Sequence, residues 1–307
     1  MFAHQVIDSL QDRIKNNENY IYNDKGYLDF ISHKIDLIKI SQQFHVGYYE
    51  KFPIKEPKCM MLTNKDQILT TGVVFEDLSN TRLPYPVCWV DFYTEPVQWY
   101  GKTENPLSDG KFGILCEDNG EDVITCTHFQ YNPYKKYWQV QPIESFFKYN
   151  YDFKKDGQYI EFDAPDCMIY NDMDEIQRNV LKMNILKDTS FIFAMLRLFS
   201  CKNITTETVQ PPEKLNIKRR KNGKQELFSY HVLNVTLPSQ KQGYREKTDP
   251  NYHVRVHLCR GHFKEYTNEH PLFGSLTGRY WWQPHVRGQN HNGVVMKDYE
   301  VKQRAVA

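Results

Sequence analysis

The spacing of apolar residues changes along this chain of 307 residues, and the changes limit the folds that it can adopt. In the first 45 residues, apolar side chains recur every three or four positions, which predicts helices. From about residue 66 the period becomes two, which predicts strands. The helical repeats are Val6, Ile7, Leu10 and Ile14, then Leu28, Ile31, Ile35 and Ile38. The predicted strands are Gln67–Phe75, Pro86–Tyr93, Lys111–Cys116, Val123–Gln130 and Tyr137–Gln141.

A second helical region follows, from Met173 to about Cys201, and we expect two helices with a break near Lys187–Asp188. Beyond residue 205 come a basic run, a short strand at Leu227–Val235 and a polar loop at 237–251. The sequence therefore predicts an α+β fold with a helical N-terminus, an antiparallel β-meander, a helical segment and a smaller antiparallel C-terminal sheet. We expect two domains, 1–205 and 206–307.

The net charge of +1 conceals a strong asymmetry. Residues 201–307 contain 18 Lys and Arg but 9 Asp and Glu, a net charge of +9, whereas residues 1–200 carry −8. A charge difference of this kind suggests a polyanionic partner for the basic part.

The location of the protein is constrained by its apolar segments and cysteines. The N-terminus lacks a basic region followed by an apolar stretch, so we expect no signal peptide. The longest apolar run, Phe191–Phe199, is far shorter than the roughly 20 residues of a membrane span. Seven cysteines without a Cys-x-x-Cys pair are typical of reduced, buried thiols. We therefore expect a soluble cytoplasmic protein that makes no membrane contact.

Six of the eleven histidines lie in the last 55 residues, on two predicted strands. On the first, Tyr252–Tyr266, apolar residues alternate with His253, Arg255 and His257. A β-bulge at Gly261 would bring Arg260 and His262 to the same face. On the second, Gly278–Gly288, one face carries Arg279, Trp281, Gln283, His285 and Arg287. If the two strands pair, one sheet face combines histidines, arginines and an indole.

Several interpretations of that face remain open. A metal site is disfavoured because positions i and i+4 of a strand are about 13 Å apart and no cysteine pair completes a ligand set, so we expect no metal and no other cofactor. Metal-independent RNA cleavage needs a base, an acid and fixed cations, which histidine and arginine supply. The candidate catalytic residues are His253, His257, Arg260, His262, Arg279 and His285.

Passive binding is the next interpretation, with cations neutralising phosphates and aromatic rings stacking on bases. The candidate nucleic-acid-binding residues are Lys218, Arg219, Arg220, Lys221, Lys224, Arg255, Trp281 and Arg287. The simplest interpretation is that the His and Arg residues on this face, and the basic run at 214–224, are exposed to solvent and bind no partner.

The segment from His257 to Phe263, HLCRGHF, and the later Trp282-Gln283-Pro284 resemble a phage and mobile-element family of type V-A anti-CRISPR proteins. These proteins suppress production of the type V effector nuclease. The shared motif is H-x-x-R-G-H-aromatic followed by W-Q-P. Weaker similarity extends over about residues 80–290, at Leu83–Asp91, Leu186–Ser200 and Pro211–Lys224.

The resemblance implies a regulator that binds a nascent polypeptide and causes loss of the mRNA being translated. The acidic region would recognise the peptide, through residues that the resemblance does not identify. The basic region would face the mRNA or the ribosome, with His257, Arg260 and His262 as the principal residues. Cleavage by this chain and recruitment of a host nuclease both remain open. So do an adaptor without catalysis, a protein-only inhibitor of a host factor, and a homodimer.

Overall fold

The computed structural model describes residues 1–16, 25–48, 82–97, 108–120, 123–148, 160–165, 173–235, 257–259, 262–282 and 285–287. The predicted strand Gln67–Phe75 and the predicted loop at 237–251 lie outside these residues. The described helices are α1 (Ala3–Lys15), α2 (Lys25–Ile40), α3 (Glu175–Phe199) and α4 (Glu213–Lys221). The larger sheet contains β1 (Gln42–Tyr48), β2 (Val87–Val97), β3 (Ser108–Asp118), β4 (Val123–Asn132), β5 (Tyr137–Lys148), β6 (Ile160–Asp163), β7 (Ile204–Val209) and β8 (Tyr230–Val235). The short strands are β9 (His257–Cys259), β10 (His262–Tyr266), β11 (Gly278–Trp282) and β12 (His285–Arg287).

The fold is α+β, as the changing apolar period predicts, and is built around a mixed eight-stranded sheet. Its strand order is β6-β5-β4-β3-β2-β1-β8-β7, and strands β2 to β6 form the expected antiparallel meander. Strand β1 was not predicted, since helices were expected through residue 45. It lies between β2 and β8 and runs parallel to both.

Helices cover both faces of this sheet. The apolar stripes of α1 and α2 pack on one face, against Trp89, Leu115, Phe129 and Trp138. Helix α3 covers the other face, where the rings of Phe92 and Phe191 lie 4.8 Å apart. The described part of the chain contains no helix long and apolar enough to span a membrane.

Helix α3 is continuous from Glu175 to Phe199, so the predicted break near Lys187–Asp188 is wrong. No proline or glycine interrupts the segment. The hydroxyl of Thr189 donates to the carbonyl of Ile185 within the helix and also contacts Ser145 of the sheet at 2.7 Å. Polar residues therefore contribute to the packed side of this helix instead of ending it.

The chain divides into two compact units. The first contains residues 1–200 and 204–234, and the second contains 201–203 and 235–307. The composition changes at residue 205, whereas the compact units divide at residues 200 and 234. The basic helix α4 thus belongs to the first unit, where Arg219 forms an ion pair with Asp8 of α1.

In the second unit, β10 pairs antiparallel with β11, and β9 pairs antiparallel with β12. The two His-rich segments are therefore neighbours, as predicted. Cys259 is opposite His285 and His262 is opposite Trp282, so both chains advance by three residues between the pairs. Gly261, where the sequence suggests a bulge, lies outside the described residues.

Candidate functional site

The β10–β11 pair separates residues that the sequence placed on one face. His262 lies opposite Trp282, whereas Trp281 and Arg279 belong to the alternate pairs, opposite Phe263 and Glu265. Side chains of successive pairs point to opposite faces of a ladder. His262 therefore does not share a face with Arg279 and Trp281, contrary to the expectation.

Both residues on the alternate face are engaged within the protein. Trp281 is 3% exposed and packs on Phe263, with ring centroids 4.8 Å apart, so its indole is not presented to a base. The Nε of Arg279 donates to Glu265 Oε2 at 3.2 Å. His262, by contrast, is exposed.

The remaining residues of the predicted face are described through their backbone or not at all. His257 is the register partner of Arg287, and His285 is the partner of Cys259. The strand pairing therefore places His257, His285 and Arg287 within two residue positions of one another on the paired strands. His253, Arg255 and Arg260 lie outside the described residues.

The cations of α4 fall into two groups. Arg219 contacts Asp8 and also donates to the carbonyl of Gln225, while Arg220 donates to both carboxylate oxygens of Glu226 at 2.8 Å. These hydrogen bonds raise the pKa of Arg220 and lower that of Glu226. The two arginines are therefore committed to contacts inside the first unit.

The lysines of this segment form the second group. Lys218, Lys221 and Lys224 are exposed, as is Lys214, and none of their side chains makes an ion pair or hydrogen bond within the described residues. Residues 214, 218 and 221 are spaced at i, i+4 and i+7, which places them on one helix face. We call these three lysines, together with Lys224 just after the helix, the α4 lysine face. The charges of Lys218 and Lys221, in the last turn, also interact favourably with the negative end of the helix dipole.

A Ser–His contact that resembles a catalytic arrangement lies inside the core. The Nε2 of His128 is 3.0 Å from Ser145 Oγ, and its Nδ1 is 4.0 Å from Asp188 Oδ2. Both His128 and Ser145 are buried beneath α3. Burial lowers the pKa of His128 to about 3, so the ring is neutral and serves as a core hydrogen-bonding group.

A buried lysine joins α2 to the sheet. Lys34 Nζ lies 2.6 Å from Glu117 Oε1 and 3.0 Å from Glu144 Oε1, and Thr127 donates to Glu144. Burial acts to lower the pKa of Lys34, but the two carboxylates together raise it. One lysine thus holds two carboxylates, and all three side chains are engaged in contacts between α2 and the sheet.

The sequence reasoning missed Asp91 and His45, which lie on the neighbouring strands β2 and β1. Asp91 is fully buried, and its carboxylate accepts hydrogen bonds from the backbone N–H of Phe2 at 2.5 Å and from Trp89 Nε1 at 3.0 Å. Its Oδ1 is 2.5 Å from His45 Nδ1. One signal in the sequence pointed to this site, because Asp91 interrupts the apolar strand VCWVDFY.

Comparisons with known proteins add no relative: no family model, no curated protein and no solved structure matches the chain. Within the described residues, no group of three or more His, Cys, Asp or Glu is placed to hold a metal ion. Four described cysteines, at 88, 116, 126 and 201, are buried and form no disulfide, in agreement with the buried thiols that the sequence predicts.

Proposed function

We propose that this protein is a phage-type regulator that recognises a nascent polypeptide in the host cytoplasm and causes loss of the mRNA being translated. The observation that carries the proposal is the pairing of the two motif segments. His262 of H-x-x-R-G-H and Trp282 of W-Q-P are 20 residues apart in sequence but directly opposite in the β10–β11 ladder. A motif whose halves pair in this way behaves as one structural element, which supports a shared function for its residues.

The charge distribution supports a division of labour. The acidic residues 1–205 would recognise the peptide. The α4 lysine face offers exposed, unpaired cations that suit a phosphate backbone of mRNA or of the ribosome. Although α4 belongs to the first compact unit, its lysines are available to such a partner because the arginines of the same helix make the internal contacts.

One contact favours an adaptor that recruits a nuclease over cleavage by this chain. Arg279, which was expected to stabilise a phosphorane, is held by Glu265. Trp281, which was expected to stack on a base, is buried, which argues against base stacking by this residue in either form of the proposal. Of the predicted catalytic residues with described side chains, His262 is left exposed on the other face.

The proposal is tested in a translating lysate with reporter mRNAs. Replacing His262 or Arg260 with Ala is expected to abolish loss of the reporter transcript while peptide binding is retained. Replacing the exposed His270 provides a matched control, since it lies in the same unit but outside the motif. If transcript loss survives both motif changes, the assignment of the motif is wrong.

Incubating purified protein with labelled RNA in EDTA separates the two forms of the proposal. The adaptor form predicts intact RNA, and a product ladder would instead show that the chain cleaves RNA itself. A protein-only inhibitor would bind its partner without competition by RNA and would be insensitive to neutralisation of the α4 lysine face.

A further inference from the structure

A row of aromatic and basic side chains extends over five neighbouring strands of the sheet in the first unit. None of these residues belongs to the C-terminal motif. The row consists of His45 on β1, Tyr93 on β2, Lys111 on β3, Tyr131 on β4 and Tyr230 on β8, all half-buried. We call these five residues the His45–Lys111 strip. The rings of Tyr93 and Tyr230 each lie 5.9 Å from His45, and Lys111 is the register partner of Tyr93. Lys111 Nζ in turn lies 4.9 Å from the ring of Tyr131.

The hydrogen bond between Nδ1 and Asp91 fixes the orientation of the His45 ring, and the second ring nitrogen, Nε2, takes no part in that bond. With a carboxylate oxygen of Asp91 as the acceptor, His45 Nδ1 carries the proton that lies between them. Nε2 makes no hydrogen bond with the described residues, and the side chain is 21% exposed. In the neutral ring, Nε2 is therefore a positioned acceptor for an N–H or hydroxyl group from outside the protein.

The backbone of β1 next to His45 departs from regular strand geometry. The pairing of β1 with β2 shifts between His45 and Gly47, which marks a β-bulge. Gly47 has a φ of +80°, and no described atom lies within 4 Å of the position that a Cβ would take. Bulges reorient side chains near functional sites, and this one lies beside His45, whose ring is hydrogen-bonded to a buried carboxylate.

Lys111 supplies an unmatched positive charge. It is half-buried, with Nζ against the rings of Tyr131 and Phe2, and no carboxylate within the described residues forms an ion pair with it. Arg13 adds a second cation nearby, 4.6 Å from the ring of Tyr137. In a region that is acidic as a whole, this local excess of positive charge favours an anionic group on the ligand.

The arrangement of the rings favours a peptide over a nucleic acid. Tyr131 contacts both Lys111 and Trp138, and the rings of Tyr93 and Tyr230 are perpendicular to that of His45. Base stacking needs an open ring face, and cations or other rings already contact these aromatic residues. A peptide needs no open ring face, because its acidic side chain can bind Lys111 and its backbone N–H can donate to His45 Nε2.

We propose that the His45–Lys111 strip is the peptide-recognition site of this protein, and that it selects a segment with an acidic side chain, bound by Lys111, next to a backbone or hydroxyl donor, bound by His45. This inference rests on the proposed function, because it assigns the peptide-recognition step to particular residues. Asp91 is a positioning residue that fixes the His45 ring.

The test uses full-length protein in a cell-free translation system with a library of reporter mRNAs whose early codons are randomised. Sequencing of the surviving transcripts identifies the encoded peptides that cause mRNA loss. For the unmodified protein, we expect the depleted peptides to contain Asp or Glu at a fixed position. Lys111→Glu should reduce depletion of these sequences at least about tenfold, since it removes a hydrogen bond to a charged group, and should favour Lys or Arg at that position.

Two further variants make the result interpretable. His45→Phe keeps the ring packing but removes Nε2, and should weaken depletion without changing the charge preference. Lys15→Glu reverses an exposed charge at the end of α1, outside the strip, and should leave depletion unchanged. If Lys111→Glu fails to fold, as judged by its thermal unfolding, Lys111→Met provides the same comparison.

The possible outcomes separate the two proposals. If the unmodified protein depletes a defined set of sequences and both strip variants deplete the same set equally, the strip is not the recognition site, although the proposed function stands. If depletion follows the nucleotide sequence in shifted reading frames, the protein reads RNA and the inference fails. If no transcript is depleted, the proposed function fails and this inference fails with it.

Discussion

Glu265 and Arg279 face each other across the β10–β11 ladder, where Arg279 Nε donates to Glu265 Oε2 at 3.2 Å on the face opposite His262. The guanidinium side chain is 12% exposed, so a carboxylate already neutralises a cation that the sequence assigned to RNA chemistry. The same strand pair therefore contains one cation that is neutralised within the sheet and one histidine that is exposed. This distinction leads to opposite expectations for their variants.

Arg279→Ala should lower the free energy of unfolding by about 1 kcal/mol, because it removes a partly exposed ion pair and the packing of the side-chain stem. Transcript loss per folded molecule should remain unchanged. His262→Ala should show the reverse, with lost activity and a smaller change in stability, because this side chain is exposed. Thermal unfolding and a reporter-mRNA assay measure the two effects. A loss of activity in Arg279→Ala at unchanged stability would return this residue to the functional site.

Neutralising Lys218, Lys221 and Lys224 together should weaken RNA binding and its dependence on salt. Each contact with a single-stranded phosphate contributes about 0.7 to the slope of log K against log salt, so the slope should fall by about 2. Arg220→Ala is the matched control, since Arg220 is bound to Glu226. RNA titrations at several salt concentrations give the slopes. Equal slopes for the triple variant and the unmodified protein would exclude the α4 lysine face from the RNA interface.

Asp91→Asn should destabilise the first unit by about 3 kcal/mol, because an amide presents a donor where the carboxylate accepts from Phe2, Trp89 and His45. Chemical denaturation measures the change. Asp36→Asn, which alters the exposed pair with Lys39, should cost less than about 0.5 kcal/mol. Similar small losses of unfolding free energy in both variants would show that the contacts of the buried carboxylate contribute little to stability.

Burial of His128 predicts a loss of stability in acid. Its pKa falls from the ordinary 6.5 to about 3 in the folded protein. Between these values the unfolded chain binds a proton that the folded protein does not. The contribution of His128 to stability is therefore complete above pH 6.5 and declines by about 1.4 kcal/mol per pH unit as the pH falls towards 3.

The variant His128→Gln keeps a hydrogen-bonding group near Ser145 but does not titrate. Between pH 7 and pH 5 it should lose about 2 kcal/mol less unfolding free energy than the unmodified protein. Denaturation curves at the two pH values give the comparison. Equal losses would mean that His128 does not stay neutral in the folded state.

The sequence predicted those elements whose apolar pattern is local. The stripe from Val6 to Leu10 and the stripe from Ile31 to Ile38 form the buried faces of α1 and α2. The alternating segments from Pro86 to Gln141 lie in the antiparallel meander. Strand β1 was not predicted because it is short and directly follows α2, with only seven residues between the end of α2 and Tyr48, the last residue of β1. Its parallel partner strands also lie far away in sequence.

The candidate sites show the same limit. The sequence identified the histidines and arginines of the C-terminal motif and the pairing of their strands. It could not assign Arg279 to Glu265, or Arg219 to Asp8, since each pairing depends on which side chains the fold brings within contact.

The sequence by itself therefore determined the fold class, the charge asymmetry and the positions of the motif residues, because periodicity and composition are properties of neighbouring residues. The tertiary structure decided which cations are neutralised, on which face His262 lies, and that Asp91 fixes His45. Those properties depend on register and burial, which arise when distant segments pack together.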